Sequence, residues 1–406
     1  MEYKFIEALP PLLYDTFVKK HKHCHVLQSA GWGEVKSNWT PYLTALENEE
    51  GDIVAAGLVL ARSFPLGQSM WYLPKGPVLD YENHAVRDAY LKGLIAFAEK
   101  KRVTLVKIDP PIVRRSLMLE DYPGTTDPRA QEQIEALEAL GYIHQGLSLD
   151  LESTIQPRFS AITYNTADFY EQLPKRTKRS IRETENRFVT VSREGREGLE
   201  DFAFLIRQTE ENKDITLRDQ AYFEAIWDAF GDDTYLYMAR IDVVYALEQM
   251  QQQLAEVNQK LEDLPPNTPK KRRQLVIQQE SYQKQIDFFN ERLAEDGQHQ
   301  IVAGALGVEY GHVFELLYAG RNTVWGRIPA QDSIYVMSMQ EAFERGMTSV
   351  STGGVPGTLD DGLTKFKASF SPHFVETIGE LDYPVKPLIY RGLVTAINLR
   401  NKLARR

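Results

Sequence analysis

The most constraining feature of this sequence is an internal repeat. The run IVAAGLVL at residues 53–60 nearly superimposes on IVAGALGV at residues 301–308. In each place the pattern continues with a further strand, an amphipathic helix and another strand. A structural unit that occurs twice must bury an apolar face twice, so we expect two similar lobes of mixed α/β (α+β) class packed against one another.

Hydrophobic periodicity places the elements of both copies. The first copy is predicted at residues 42–62, 70–78, 83–101 and 104–111. The second is predicted at residues 235–241, 299–310, 314–322, 330–346 and 349–356. This order is similar to that of N-acetyltransferase-type acyltransferases, which hold the substrate amine where two central strands diverge. Because one fold serves many functions, the order alone names no activity.

The second copy carries a long insertion in its hairpin. The first copy turns through NEEGD at residues 48–52, whereas about 57 residues separate the corresponding strands of the second. Apolar residues in the insertion follow a 3-4 spacing on two successive segments, which predicts an antiparallel coiled-coil arm. The helices should be about 20 residues and roughly 30 Å long. The residues that form this pattern are Leu247, Met250, Leu254, Val257, Leu261, Leu264, Tyr282, Ile286, Phe289 and Leu293.

These patterns give the following domain boundaries. The first lobe is predicted at residues 1–155 plus 375–406, and the second lobe at residues 156–242 plus 298–374. The arm occupies residues 243–297, with Pro265, Pro266 and Pro269 turning the chain between its helices. The arm could be a spacer or a dimerisation rod, or it could carry its basic tip to an anionic partner such as RNA.

Composition excludes several classes of protein. A net charge of -10 argues against indiscriminate coating of nucleic acid. No run of about 18 apolar residues is present, and the N-terminus lacks a signal-peptide pattern, so we expect a cytoplasmic protein. The single cysteine, Cys24, excludes an internal disulfide. It alternates with His21, His23 and His25, which could chelate zinc, but a histidine-rich loop is favoured and we expect no metal site.

The segment DDGLTKFKASF at residues 360–370 combines two lysines with two phenylalanines. Its alternation is typical of an edge strand in which Phe366 and Phe370 form the packed face. Lys365 and Lys367 would then lie on the other face. The pattern alone does not say which lysine, if either, takes part in chemistry.

Six stretches of the sequence, taken together and in order, resemble the Fem/Mur (FemABX) family of peptidoglycan bridge aminoacyltransferases. The resemblance covers nearly the whole chain and is strongest to the MurM/MurN branch. The stretches are VLQSAGWGEVKSNW (26–39), KIDPP (107–111), LPKRTKRSIRETEN (173–186), the pattern Leu217-Arg218-x3-Tyr222, LLYAG (316–320) and DDGLTKFKASFSPHFVETIGELDYPV (360–385).

The resemblance implies a tRNA-dependent enzyme. Members transfer an amino acid from aminoacyl-tRNA to the stem-peptide lysine amine of lipid II, which builds the interpeptide bridge. Alanine or serine is the expected amino acid, no cofactor is expected beyond the aminoacyl-tRNA co-substrate, and peripheral association with the inner face of the membrane is possible. Two rival functions stay open: a non-catalytic scaffold that binds RNA or protein through the arm, and a coenzyme A-dependent N-acyltransferase.

The family pattern also assigns roles to residues. Lys367, next to Phe366, matches the catalytic cation. Asp109 would orient the nucleophilic amine or accept its proton, or it could simply fix a turn before two prolines. Four residues match the precursor-binding positions: Lys36, Arg218, Tyr222 and Tyr318. Alternatively, Tyr318 could be a core tyrosine, and Trp32 could merely pack against the stem of Lys36.

Basic clusters are the candidates for contact with tRNA. One cluster lies on a predicted helix that is basic nearly all round, and another lies at the tip of the arm. Instead of contacting tRNA, these clusters could be solvated helix faces, or they could bind lipid II pyrophosphate or an anionic membrane. A third cluster, Arg400, Lys402, Arg405 and Arg406, ends a C-terminal segment that could pack on the first lobe or lie on the bilayer. The tRNA candidates are Lys175, Arg176, Lys178, Arg179, Arg182, Lys270, Lys271, Arg272 and Arg273.

Overall fold

A computed structural model describes residues 2–151, 153–213, 218–392 and 394. The strands are β1 (Lys4–Ile6), β2 (Thr40–Glu47), β3 (Ile53–Phe64), β4 (Gln68–Leu73), β5 (Val78–Leu79), β6 (Leu105–Ile108), β7 (Val113–Leu117), β8 (Ile143–His144), β9 (Phe159–Tyr164), β10 (Val189–Glu194), β11 (Thr234–Asp242), β12 (His299–Tyr310), β13 (Val313–Arg321), β14 (Ser349–Val355), β15 (His373–Thr377) and β16 (Leu381–Tyr383).

Twelve α-helices are assigned in the described ranges, and they cover the two sheets and form the arm. They are α1 (Pro11–Lys20), α2 (Ala30–Val35), α3 (His84–Lys100), α4 (Pro128–Ala139), α5 (Phe169–Gln172), α6 (Lys175–Asn186), α7 (Leu199–Lys213), α8 (Gln220–Phe230), α9 (Val243–Glu262), α10 (Pro269–Asp296), α11 (Ala330–Glu344) and α12 (Gly362–Lys367).

The strands form two mixed sheets. One has the order β1-β2-β3-β4-β6-β16-β8, with β5 paired to β3, and the other has the order β10-β11-β12-β13-β14-β9-β15-β7. In each sheet a hairpin leads to a third strand, a helix follows, and the next strand pairs in parallel with the third: β4 with β6, and β13 with β14. The predicted fold class, two acyltransferase-like α/β lobes with an inserted helical hairpin, is confirmed.

Two strands near the connections between the lobes, β7 and β15, do not follow the predicted lobe boundaries. Strand β7 at residues 113–117, assigned from sequence to the first lobe, lies at the edge of the second sheet. It is held there by antiparallel pairing with β15, which itself pairs with β9. The boundary predicted at residue 375 therefore falls inside a strand of the second sheet, and only β16 at residues 381–383 returns to the first.

The inserted arm is a helical hairpin of α9 and α10, as predicted. Asp242 caps α9 by accepting a hydrogen bond from the Tyr245 N–H, which leads β11 directly into the helix. The second helix has 28 residues rather than about 20, because Pro269 starts it at its first turn instead of ending the connection. The apolar faces meet at the base of the arm through Leu247, Met250, Ile286 and Phe289, which belong to the core of the second lobe.

A second apolar core joins the lobes. It combines Val35 and Leu58 of the first lobe with Phe202, Phe223 and Leu306 of the second, all buried. Helix α2 of the first lobe packs on α8 of the second. Burial of these side chains fixes the lobes against each other, so groups at their junction keep a defined geometry.

The C-terminal basic residues Arg400, Lys402, Arg405 and Arg406 lie outside the described residues. Before them, Leu388 is 83% exposed, while the Tyr390 hydroxyl donates to an Asp382 carboxylate oxygen at 3.1 Å. Within the described residues, no helix has the length and apolar character needed to cross a bilayer.

Candidate active site between the lobes

The segment 360–370 is helical, so the predicted edge strand is wrong. Asp361 caps α12 by accepting hydrogen bonds from the N–H groups of Leu363 and Thr364, and a 3-10 turn follows at Ala368–Phe370. Phe366 and Phe370 still share a packed face, because residues four apart lie on one side of a helix. Both rings contact Tyr335 of α11, with ring centroids 5.2 and 5.1 Å apart.

The helix separates the two lysines. Lys365 is exposed, whereas Lys367 is buried and its Nζ donates a hydrogen bond to the Gly354 carbonyl oxygen at 2.8 Å. Burial lowers the pKa of Lys367 to about 8, and the nearby carboxylates of Asp361 and Glu315 oppose that shift. Of these two lysines, Lys367 is therefore the one that places an ammonium in a dry environment.

Lys367 lies where two parallel strands separate. The pairing of β13 with β14 ends at Glu315 and Ser351, although β13 continues to Arg321 and β14 to Val355. Gly354, which accepts the hydrogen bond from Lys367, is on the diverging part of β14. We call this opening between the strands the second-lobe wedge. It matches the place where two central strands diverge, at which the substrate amine is expected from the sequence.

The corresponding position in the first lobe is filled by an ion pair. The pairing of β4 with β6 continues to the last residues of both strands, and Asp109 follows directly after β6. Lys75 Nζ lies 3.4 Å from Asp109 Oδ2 and also donates to the Pro157 carbonyl oxygen at 3.0 Å. Asp109 is only 1% exposed, and burial raises its pKa while Lys75 lowers it. Its predicted role toward the substrate amine stays a prediction.

Glu315 and His25 are functional candidates that the sequence analysis missed. The Glu315 side chain is 12% exposed, and His25 Nε2 lies 3.4 Å from its Oε1. Burial raises the pKa of Glu315 to about 7, against the opposing effects of Ser351, Lys75 and Lys367. A glutamate inside the apolar strand FELLY could have been noticed as unusual, since such residues are rarely buried without a partner.

The histidines around Cys24 do not act together. The His23 N–H donates to His21 Nδ1 at 3.1 Å, and the Cys24 thiol donates to the Tyr310 carbonyl oxygen. His25 instead faces Glu315 in the second lobe. Among the described residues, no group of three or more His, Cys, Asp and Glu side chains could hold a metal ion.

The four predicted precursor-binding residues meet at the junction of the lobes. Lys36 Nζ donates to the Tyr222 hydroxyl at 2.8 Å, and the Tyr318 hydroxyl donates to the same oxygen at 3.2 Å. The Arg218 guanidinium lies 4.9 Å from the centroid of the Tyr222 ring. Arg218 precedes α8 rather than lying on it, so its contact with Tyr222 does not arise from helical spacing. Asp219, which follows Arg218, caps the helix by accepting the Tyr222 N–H. Leu217 of the same motif is outside the described residues.

Lys36 is an unusual cation because it is partly desolvated. Burial and the charge of Arg218 lower the pKa of Lys36 to about 8. Its ammonium lies 4.6 Å from the Trp32 ring centroid, which is a cation–π contact with the charged end of the side chain. Two adjacent cations form a site that would stabilise a bound anion.

A β-bulge brings the two clusters onto one face of β13. Leu306 pairs with Tyr318 and Gly307 with Leu316, so Leu317 is the extra residue. As a result both Leu317 and Tyr318 pack toward the inter-lobe core, on the side of Glu315. Three residues of strand span about 10 Å, which is the length of β13 between Glu315, where the second-lobe wedge opens, and Tyr318 of the cluster with Lys36.

The helix predicted to be basic nearly all round, α6, buries one face. Thr177, Ile181 and Thr184 form an inward stripe at helical spacing, and the Thr177 hydroxyl donates to the Ser369 carbonyl oxygen at 2.6 Å. This bond ties α6 to the turn that follows Lys367. Of the predicted tRNA-contact residues on α6, Lys178 pairs with Glu171 and four are exposed: Lys175, Arg176, Arg179 and Arg182.

The basic tip of the arm is remote from this junction. All four residues 270–273 are exposed and lie in the first turn of α10, where the helix dipole disfavours positive charge. The length of α9, 20 residues, places them about 30 Å from the sheet. The structure therefore separates the predicted tRNA-contact residues into one group beside Lys367 and one group far from it: Lys270, Lys271, Arg272 and Arg273.

Comparison with known proteins agrees with this arrangement. A model described as the FemAB family matches residues 9–397. The chain belongs to the FemAB family. It is 28% identical over 403 residues to proteins named lipid II:glycine glycyltransferase from Staphylococcus aureus strains bovine RF122 / ET3-1 and MSSA476, covering 93% of this chain and 92% of theirs.

A solved structure extends the similarity to the fold. The crystal structure of FemX superimposes with a TM-score of 0.76 at 25% identity, covering 96% of this chain and 99% of that one. The predicted family is thus confirmed, and this FemAB-family chain is an aminoacyltransferase enzyme rather than a non-catalytic scaffold. Its place in the MurM/MurN branch stays a prediction.

Proposed function

We propose that this enzyme transfers an amino acid from aminoacyl-tRNA to the stem-peptide lysine amine of lipid II, and so builds the peptidoglycan interpeptide bridge. The observation that carries the proposal is the buried Lys367 ammonium in the second-lobe wedge. The wedge opens at Glu315, about 10 Å along β13 from Tyr318, which belongs to a cluster of two cations and two tyrosines. The similarity to proteins named lipid II:glycine glycyltransferase supports lipid II as the acceptor.

The proposed chemistry is aminolysis of the ester that joins the amino acid to tRNA. Attack by a neutral amine on the ester carbonyl places negative charge on its oxygen. Lys367 provides a fixed ammonium for that oxyanion, and in a site screened from water this interaction is worth several times more than in solution. Phe366 packs against Tyr335 and holds the helix that carries Lys367.

The acceptor is proposed to bind through its diphosphate. Lys36 and Arg218 provide a point charge and a bidentate donor, the two kinds of group that hold phosphate oxygens. Because the pKa of Lys36 is lowered to about 8, a bound anion would return it to the fully charged form. Tyr222 and Tyr318, whose hydroxyls are already joined, would line this site.

The donor is proposed to approach over α6. Its exposed basic residues lie next to the turn that follows Lys367, through the bond from Thr177 to Ser369. A 3′ end that enters the wedge would bring the adjoining RNA backbone to this helix, where neutralised phosphates make binding salt-dependent. The tip of the arm, Lys270–Arg273, would meet a more distant part of the tRNA.

The cellular setting follows from the acceptor. Lipid II is a membrane-anchored precursor, so the enzyme is proposed to act in the cytoplasm at the inner face of the membrane, as a peripheral protein. Aminoacyl-tRNA is a co-substrate, and we propose that no cofactor takes part. From the family resemblance, alanine or serine is the proposed amino acid, and glycine is the alternative suggested by the names of the relatives.

A reconstitution assay tests this function. The purified enzyme is incubated with lipid II and, in separate reactions, with tRNA charged with alanine, serine or glycine, and the lipid is analysed by mass spectrometry. We expect one added amino acid from at least one donor. Lipid II and acetyl-coenzyme A without tRNA serve as the control for the rival donor. Acetyl transfer in that control, with no transfer from any tRNA, would contradict the proposal.

A further inference from the structure

The proposed reaction needs a proton acceptor as well as an oxyanion donor. A lysine side-chain amine has a pKa near 10.4 in solution, so at neutral pH it must lose a proton before it can attack. Lys367 cannot accept that proton while it remains an ammonium. Asp109 is already paired with Lys75 and is 1% exposed. The inference below rests on the proposed function.

Glu315 lies at the point where the second-lobe wedge opens. It is the last residue of β13 to pair with β14, opposite Ser351. Both cations of the neighbourhood, Lys75 from the first lobe and Lys367 from the second, act on its carboxyl group electrostatically. Glu315 is therefore placed between the two lobes, on the inter-lobe face of β13 that also carries Tyr318.

Two polar side chains, His25 and Ser351, lie at the carboxyl group of Glu315. His25 Nδ1 accepts the Leu27 N–H at 3.1 Å, so in the neutral ring the proton is on Nε2, which faces Glu315 Oε1 at 3.4 Å. Burial lowers the pKa of His25 to about 3, which keeps the ring neutral. Ser351 Oγ accepts the Gly353 N–H at 3.2 Å, and the Ser351 side chain opposes the rise in the pKa of Glu315.

We infer that Glu315 is the catalytic base that takes the proton from the attacking amine, and that His25 and Ser351 position its carboxylate. The acceptor ammonium gives one proton to Glu315 and becomes a neutral amine. Its lone pair forms the C–N bond at the ester carbonyl carbon, and the carbonyl electrons move to the oxygen beside Lys367. When the C–O bond to the ribose breaks, a second proton from nitrogen passes to the leaving ribose oxygen. Glu315 then releases its proton to solvent.

The charges around Glu315 suit this step. Burial raises its pKa to about 7, which makes it a far stronger base than an exposed glutamate yet still ionised in part at neutral pH. Lys75 and Lys367 favour the carboxylate, and Asp361, which faces Lys367, helps to keep that lysine charged. Removal of His25 would remove one donor to the carboxylate and raise the pKa of Glu315 further.

The test compares wild-type enzyme with Glu315→Gln in the reconstituted transfer reaction. We expect kcat to fall at least about 100-fold with little change in the KM for lipid II, since a positioned base contributes this much. The acid limb of the kcat/KM profile near pH 7 should disappear in Glu315→Gln and move to higher pH in His25→Phe. A lipid II analogue whose reacting amine is neutral at pH 7 should restore most of the lost rate.

Controls separate a base from a structural residue. Glu344→Gln makes the same substitution at an exposed position of α11 and should behave as wild type. If Glu315→Gln lowers the melting temperature, Glu315→Asp keeps the carboxylate and should retain the acid limb at a reduced rate. If the wild type is active, two results would overturn the inference alone. One is a Glu315→Gln variant that keeps the wild-type rate and acid limb, and the other is a Glu315→Gln defect that the neutral amine does not rescue. A wild type that transfers nothing would overturn the proposed function and, with it, the inference.

Discussion

The two lobes treat the same structural position in opposite ways. In the first lobe, β4 and β6 pair to their ends and the charge beyond them is neutralised by the ion pair of Lys75 and Asp109. In the second lobe, β13 and β14 separate early, and Lys367 lies in the opening with the Gly354 carbonyl oxygen as its hydrogen-bond partner. The duplicated fold is thus paired to the strand ends in one copy and open in the other.

The comparison also shows how two buried lysines can differ in role: Lys75 stabilises the fold as part of an ion pair, whereas Lys367 is the proposed oxyanion donor. A buried ion pair contributes to stability only while both partners are present, because an isolated buried charge is costly. Lys75 has such a partner. Lys367 has no directly bonded carboxylate among the residues that the structure describes, and its lowered pKa reflects the cost of burying the charge. We expect substitutions in the two lobes to separate stability from activity.

The largest expected effect is on stability and comes from the closed position. Lys75→Met leaves Asp109 buried without a counter-charge, and we expect a loss of about 3–5 kcal/mol in the free energy of unfolding, measured by urea denaturation. The double variant Lys75→Met/Asp109→Asn should regain most of that loss. Equal stability of the single variant and the wild type would show that the first-lobe position is not a buried ion pair in solution.

The open position should give the largest effect on catalysis. Lys367→Met removes the proposed oxyanion donor, so we expect the transfer rate to fall about 100-fold or more, in the range found when one such donor is lost. Lys365→Met, two residues away and exposed, is the matched control and should retain nearly full activity. Similar losses in both variants would contradict the assignment of Lys367.

The pH dependence follows from the same open position. Below about pH 7 Glu315 becomes protonated and cannot accept a proton, and above about pH 8 Lys367 loses the charge that stabilises the oxyanion. We therefore expect a bell-shaped kcat/KM profile with a narrow maximum between these values, falling about tenfold per pH unit outside it. A flat profile from pH 6 to about 9 would mean that neither group titrates during turnover.

The smallest effect concerns the outer surfaces of the second lobe. Charge reversal at Arg176 and Arg179 on α6 should raise the KM for aminoacyl-tRNA several-fold and weaken its salt dependence, since each lost phosphate contact reduces the salt slope by about one. Reversal of Lys271 and Arg272 at the tip of the arm is the comparison. Equal KM values for the tip variant and the wild type would make the arm a spacer, and an unaffected α6 variant would remove this helix from the donor path.

Much of the fold followed from the sequence because its signals are local. The repeat at residues 53–60 and 301–308 placed both hairpins, and the apolar spacing from Leu247 placed the arm. The exchange of β7 between sheets could not be predicted, since it depends on pairing with β15, about 260 residues away along the chain. The helix at 362–367 was missed because the alternation of residues 363–370 was interpreted as an edge strand.

The site was predictable only in part, for a related reason. Family motifs brought together Lys36, Tyr222 and Tyr318, and the structure does place them in contact. The role of the bulge at Leu317, which turns Tyr318 toward the lobe junction, depends on strand register and leaves no sequence pattern. Glu315 was missed because its significance depends on His25, which lies 290 residues away in the other lobe.

The central claim is that the second-lobe wedge stabilises an oxyanion through Lys367. It is tested most directly by the affinity for a phosphonate analogue. In this analogue a tetrahedral phosphorus joins the stem-peptide side chain to the 3′ end of an RNA mimic. Such analogues bind in proportion to transition-state stabilisation. We predict that Lys367→Met weakens binding of this analogue about 100-fold and that Lys365→Met leaves it unchanged. Equal affinity of wild-type enzyme and Lys367→Met for the analogue would contradict the account.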